Sequence, residues 1–116
     1  MVIRSSKNIY IVGFSGTGKT SVGHALSKRL GWKFVDTDQL ITDSAGKSIP
    51  EIFTESGEQY FRKLERETLA LVSTKELQVI STGGGAPMDE NNRRIMESTG
   101  LTICLEAKPE TIHERL

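Results

Sequence analysis

One cysteine in 116 residues, Cys104, leaves no partner for an internal disulfide. The charge has no dominant sign. Fifteen basic residues stand against fifteen acidic ones, which argues against broad contact with nucleic acid or an anionic membrane. No run of about 18 apolar residues is present, and no basic then apolar leader opens the chain, so neither a membrane span nor a signal peptide is expected. Internal repeats and low-complexity linkers are missing too. What these absences leave is a single domain, residues 1–116, expected in the cytoplasm. Cys104 lies in the apolar run Leu101–Leu105 and is expected to be a small core residue rather than a nucleophile.

Against this plain background one stretch is unusual. In GFSGTGKTS, Gly13–Ser21, the order Gly13, four residues, Gly18, Lys19, Thr20 is the Walker A spacing G-x-x-x-x-G-K-[ST]. The β-branched and aromatic run Asn8–Val12 before it reads as a buried strand. Val22, Ala25, Leu26 and Leu30 after it recur at helical steps, so a helix begins near Lys19 with that apolar face and stops at Gly31. Strand, glycine loop and helix together form an anion cradle. Backbone N–H groups around Gly16, Thr17 and Gly18, then Lys19, Thr20 and Ser21 at the helix start, converge on phosphate. Lys19 brings a point charge to the β/γ-phosphates, and the Thr20 hydroxyl suits Mg²⁺. The expected ligand is a nucleoside triphosphate.

The rest of the chain alternates strands and helices. Lys33-Phe34-Val35 is a short strand ending at Asp36, and Ser48 with Glu51 makes a capping box with Pro50 in the first helical turn. Ser56 and Gln59 repeat that spacing for a longer helix, whose face reads Phe61, Leu64, Thr68, Leu71 and Val72. Gln78–Thr82 is a third strand that halts at Gly83-Gly84-Gly85. Asp89 caps a helix to about Ser98, Gly100 leads into a fourth strand, and Pro109 opens a last helix. The expected architecture is α/β, a parallel sheet covered by helices on both faces, with ligands at the carboxyl ends of its strands.

Those strand ends carry the candidate residues. Asp36 and Asp38 flank Thr37, so in extended backbone both carboxylates point the same way. Asp38 as the cap of a helix starting at Gln39 is the bland alternative. Two acids beside a phosphate site suit a Mg²⁺–water contact for Asp36 and a general base for Asp38. Gly83, Gly84 and Gly85 offer bare backbone for close approach of a substrate. Arg62 alone reads as a solvated surface residue, and His24 and His113 read as structural.

GFSGTGKTS, FVDTD, SGEQYFRKLE and STGGGAP, in that order and spacing, closely resemble the shikimate kinase family along essentially the whole chain. The resemblance implies a P-loop fold like that of nucleoside-monophosphate kinases, with a five-stranded parallel sheet of which this sequence supplies four strands. It implies ATP and Mg²⁺ as cofactors and shikimate as the small-molecule partner, phosphorylated on its 3-hydroxyl. By this likeness Lys19 and Asp38 are catalytic. Asp38, Phe53, Phe61, Arg62, Gly83, Gly84 and Gly85 meet shikimate, with Arg62 on its carboxylate. Thr20 and, through water, Asp36 serve the metal, and Arg115 packs on adenine. Thr82 stands where many P-loop enzymes have an acidic residue, which leaves Asp36 more of the metal's work.

The family pattern continues past Leu116 with a lid arginine, a second carboxylate-binding arginine, a fifth strand and an adenine loop. The chain as given is therefore expected to be a piece of a longer kinase with low or no turnover. Family members are expected to be monomers, and this chain is expected to self-associate through its uncovered sheet edge. Two other readings stand beside this one. One is a different small-metabolite kinase of the gluconate kinase kind. The other is a lidless nucleotide-binding module without turnover.

Overall fold

In a computed structural model, residues 7–13 and 18–105 are described. Gly16, Thr17, His113, Arg115 and the helix expected from Pro109 lie outside them. The elements in chain order are β1 (Asn8–Val12), α1 (Lys19–Leu30), β2 (Lys33–Asp36), α2 (Thr37–Ala45), α3 (Ile49–Ser56), α4 (Glu58–Val72), β3 (Gln78–Ser81), a 3-10 turn (Ala86–Met88), α5 (Glu90–Thr99) and β4 (Gly100–Cys104). The four strands form one parallel sheet in the order β2-β3-β1-β4. Parallel neighbours require crossovers, and the helices supply them. No described helix is long and apolar enough to cross a membrane.

Alternation along the strands divides the core between the two faces of the sheet. Tyr10, Val12, Val35 and Ile80 pack with Leu69 and Val72 of α4 and Met96 of α5. Ile11 and Val79 point the other way and are fully buried on the α1 side. A second cluster, Ile41, Ile52 and Phe61, ties α2, α3 and α4 together beyond the sheet. It carries the wall on which Phe53, Phe61 and Arg62 stand.

At the amino ends of the strands, Asn8 is completely buried and fully engaged. Its Nδ2 donates to the Lys75 carbonyl at 2.9 Å, while its Oδ1 accepts from the Gln78 backbone N–H at 3.1 Å and from Gln78 Nε2 at 3.3 Å. Gln78 Nε2 also donates to the Val72 carbonyl at 3.0 Å. These bonds fix β1 against β3 and against the end of α4.

Four expectations need correction. Helix α1 buries Gly23 and Ser27 rather than its apolar stripe, and Val22 and Leu30 are 39% and 43% exposed. A crossover helix packed tightly on a sheet needs small residues, and a side chain on Gly23 would run into the Phe34 ring. On α4 the buried face is Phe61, Glu65, Leu69 and Val72, whereas Leu71 is 70% exposed. A charged residue interrupts that stripe, so hydrophobicity alone shifts the face. Ser56 does not cap α4. It ends α3, and Gly57 turns the chain with φ 89°, a left-handed conformation that favours glycine. Finally, Cys104 is exposed, because β4 is the edge of the described sheet and pairs only with β1.

Candidate functional site

Helix α1 starts at Lys19 behind Gly18, whose φ of 89° is left-handed and which offers no side-chain cap. No acidic residue occupies the first turn. Among the described residues the opening N–H groups of this helix therefore have no side-chain acceptor, which is the arrangement an anion completes. The Lys19 ammonium folds back onto the Gly13 carbonyl, across the mouth of the loop. Thr20 and Ser21 are exposed at the same helix end.

The two aspartates do not share one extended segment, because the chain turns helical at Thr37. Asp36 caps α2: its Oδ1 accepts from the Asp38 N–H at 3.0 Å and the Gln39 N–H at 3.3 Å. The helix begins at Thr37, two residues earlier than Asp38 as a cap would require, so Asp38 sits in the first helical turn. Capping is thus the role of Asp36, and Asp38 is left with a different environment. Its Oδ1 is buried and has no hydrogen-bond partner. Burial holds the Asp38 carboxyl above its ordinary range, and the Asp36 charge adds to this. Lys19 and Arg62, both cationic and nearby, pull it back.

Gly83 brings the chain after β3 against this carboxylate. A β-carbon on Gly83 would stand 2.8 Å from Asp38 Oδ1 and 3.1 Å from Glu65 Oε2. On Gly85 it would stand 2.6 Å from Arg62 Nη1. Gly84 lies in the turn between them. Arg62 is held by Glu65, Nη1 to Oε1 at 3.0 Å, and more loosely by Glu58 at 3.5 Å. Its guanidinium lies 5.3 Å from the centre of the Phe61 ring, and Phe61 meets Phe53 edge-on at 5.0 Å. Phe61 is buried and Phe53 half-exposed, so the pair forms a wall with one open side. Thr82 is buried, with its hydroxyl donating to the Ile11 carbonyl at 3.2 Å.

Most of the expected residues therefore meet at one edge of the sheet: Lys19, Asp36, Asp38, Arg62 and Gly83 to Gly85, with Phe53 and Phe61 alongside. Gly16, Thr17 and Arg115 lie outside the described residues. His24 stacks on Phe34 with ring centres 4.0 Å apart, consistent with a structural role. Sequence reasoning missed Glu65. Its signal was its place three residues after Arg62, the spacing at which helical ion pairs form.

The residues present also fit a divalent cation of the Mg²⁺ kind. Among the described residues no three His, Cys, Asp or Glu side chains gather to cage a metal. Mg²⁺ is commonly held by one or two protein oxygens together with substrate phosphates and water, and the Thr20 hydroxyl and the Asp36 carboxylate are oxygen donors of that kind. An apolar cavity of about 440 Å³, lined by Phe34, Leu40, Leu71 and Val72 among others, runs along β2. Arg62 and Gly83 to Gly85 take no part in it.

A β2-β3-β1-β4 parallel sheet, an uncapped helix after β1 and acids and glycines at the strand ends define a P-loop α/β domain of the nucleoside-monophosphate-kinase kind. A family model described as shikimate kinase matches residues 15–116, and the chain belongs to that family. The shikimate kinase of Thermodesulfovibrio yellowstonii is 46% identical over 110 residues, which cover 95% of this chain and 64% of the relative. The structure of "Shikimate kinase from Acinetobacter baumannii in complex with shikimate" superposes with a TM-score of 0.87 at 37% identity, covering 97% of this chain and 63% of that one. The shikimate kinase of Aquifex aeolicus gives 0.85 at 44% identity, with 94% and 65% covered. The chain thus spans less than two thirds of the length of these relatives.

Proposed function

We propose that this chain carries the phosphate-binding and acceptor-binding parts of a shikimate kinase, which transfers the γ-phosphoryl group of ATP to the 3-hydroxyl of shikimate. The observation that carries the reading is the unpartnered, buried Asp38 Oδ1 beside Gly83, within reach of the charges of Lys19 and Arg62. A buried acceptor without a donor is costly unless a ligand supplies one, and a hydroxyl is such a donor.

Each residue then has a distinct task. Arg62 presents a planar fork to the acceptor's carboxylate, beside the Phe53–Phe61 wall that receives its ring. Asp38 accepts the hydroxyl proton as the oxygen attacks phosphorus, and its raised proton affinity suits it to that transfer. The α1 N–H groups and Lys19 meet the charge on the phosphates, with Lys19 leaving the Gly13 carbonyl to do so. Bare backbone at Gly83 to Gly85 lets the acceptor approach where side chains would collide with Asp38 and Arg62. Thr20 and, through water, Asp36 would hold Mg²⁺, which would supply positive charge against the phosphates' negative charge. Gly16 and Thr17 would extend the phosphate cradle, and Arg115 would stack on adenine.

Calorimetry on the purified chain, with ADP plus Mg²⁺ and with shikimate, tests the reading. Both ligands should bind, and gluconate should not compete. Nucleotide binding without any shikimate binding would refute the acceptor assignment and favour a nucleotide-binding module.

A further inference from the structure

The cavity along β2 has no part in the site built from Arg62, Asp38 and the glycines. Its volume of about 440 Å³ is that of a small-molecule site, for which about 300–1,000 Å³ is usual. Val35 of β2 packs with Val72 of α4 on one face of the sheet, and both line the cavity. Lys33 stands two residues before Val35 on the same strand, so alternation gives it that face as well. Leu40 of α2 and Leu71 of α4 add to the lining, although they are 40% and 70% exposed. One exposed leucine needs no explanation. Two lining the same apolar hollow leave a surface that a ligand can cover.

The charge of the cavity is one-sided. Lys33 opens β2 and pairs in register with Gln78, and Lys75 lies three residues before Gln78, so both lysines belong to the amino end of the sheet. Among the described residues neither forms an ion pair. The acid that lines the cavity, Asp36, stands at the other end of β2, where its Oδ1 already accepts from the Asp38 and Gln39 N–H groups. Two uncommitted cations at one end and an apolar middle suit an anion with an apolar body. We propose that this cavity binds a small carboxylate carrying an apolar chain or ring. Its carboxylate lies at Lys33 and Lys75, and its body covers Val35, Leu40, Leu71 and Val72. The site uses neither Arg62 nor Asp38, so it stands or falls separately from the acceptor reading.

Phenylbutyrate, with phenylbutanol as its neutral counterpart, tests this on the purified chain by calorimetry and by methyl NMR. The acid should bind at one site, shift the methyl signals of Val35, Leu40, Leu71 and Val72, and bind about fivefold or more tightly than the alcohol. Lys33→Gln combined with Lys75→Gln should erase that difference and leave the alcohol's affinity unchanged. Leu71→Glu, at an exposed position, should lose both probes with Tm nearly constant. Arg62→Gln should not weaken binding of the acid, and shikimate should not displace it. Absence of binding at any soluble concentration would overturn the proposal. Equal affinity for acid and alcohol would refute the role of the two lysines. Displacement by shikimate, or loss in Arg62→Gln, would put the probe in the acceptor site instead. Sedimentation detects a different occupant: dimers that Leu71→Glu separates, with no probe bound, would give the cavity to a second copy of the chain and overturn the proposal.

Discussion

Gly85 lies directly beneath the guanidinium of Arg62, so close that a β-carbon there would stand 2.6 Å from Nη1 and 2.7 Å from Nη2. The backbone at Gly85 has φ −90°, which any residue adopts, so glycine is needed here for space and not for conformation. The obstructed group is the far end of a flexible side chain. Gly85→Ala should therefore leave Tm nearly unchanged while pushing Arg62 aside. Shikimate affinity should fall by about 10- to 100-fold, as misplacement of a positioning group by about an ångström does. Unchanged affinity by calorimetry would mean that Arg62 does not touch the acceptor.

Lys19→Ala should weaken binding of ADP with Mg²⁺, because it removes the side-chain charge at the start of α1. The helix N–H groups remain, so binding should be reduced and not abolished. Calorimetric affinity equal to wild type would remove Lys19 from the phosphate site.

Asp38→Asn keeps the shape of the side chain and cannot take up a proton. In a chain of the relatives' full length, kcat should drop about 10²- to 10⁴-fold, with a smaller change in the KM for shikimate. A KM effect with near-normal kcat would reduce Asp38 to a substrate contact.

Glu65 also leaves a mark on stability. Burial holds its carboxyl above the ordinary 4.5, with Asp38 and Asp89 adding and Arg62 opposing. The native chain thus keeps this proton at pH values where the unfolded chain has released it. The resulting stabilisation is complete below 4.5 and disappears as pH rises through the folded-state value. Glu65→Gln cannot titrate, so its stability should decline less over that window. Urea midpoints from about pH 4 to about pH 8 measure this, and a steeper decline in the variant would contradict it.

How far the sequence could be read depended on the kind of signal. The phosphate loop, the capping box at Ser48 and Glu51 and the cap at Asp89 are local patterns, and each helix begins where its pattern says. The Asp36–Asp38 pair was legible as a site, but which of the two caps α2 was not. Alternation assumes extended backbone, and α2 had already begun at Thr37. Glu65 was hidden because a glutamate on a helix ordinarily faces water, and only tertiary contact with Gly83 and Asp38 buries it. The faces of α1 and α4 were misjudged for a related reason: close packing favours Gly23 and admits Glu65, and neither ranks high on hydrophobicity.

The buried amide pair Asn8 and Gln78 has a consequence at the opposite end of the sheet. In register, Asn8 stands beside Gln78 and Ile11 beside Ser81, so the bonds at the bottom determine which residue of β3 leaves the sheet next to the phosphate loop. A slip of one residue would turn every side chain of β3 to the wrong face, so misalignment comes as a whole step and never as a gradual drift. Three residues at about 3.3 Å each separate this anchor from the strand end. The molecule is therefore tuned like a stopped string, clamped at one end and free to be adjusted at the other. Loops at the carboxyl ends can change length or chemistry without retuning the clamp, which makes this edge the place where new acceptor specificities are easiest to select.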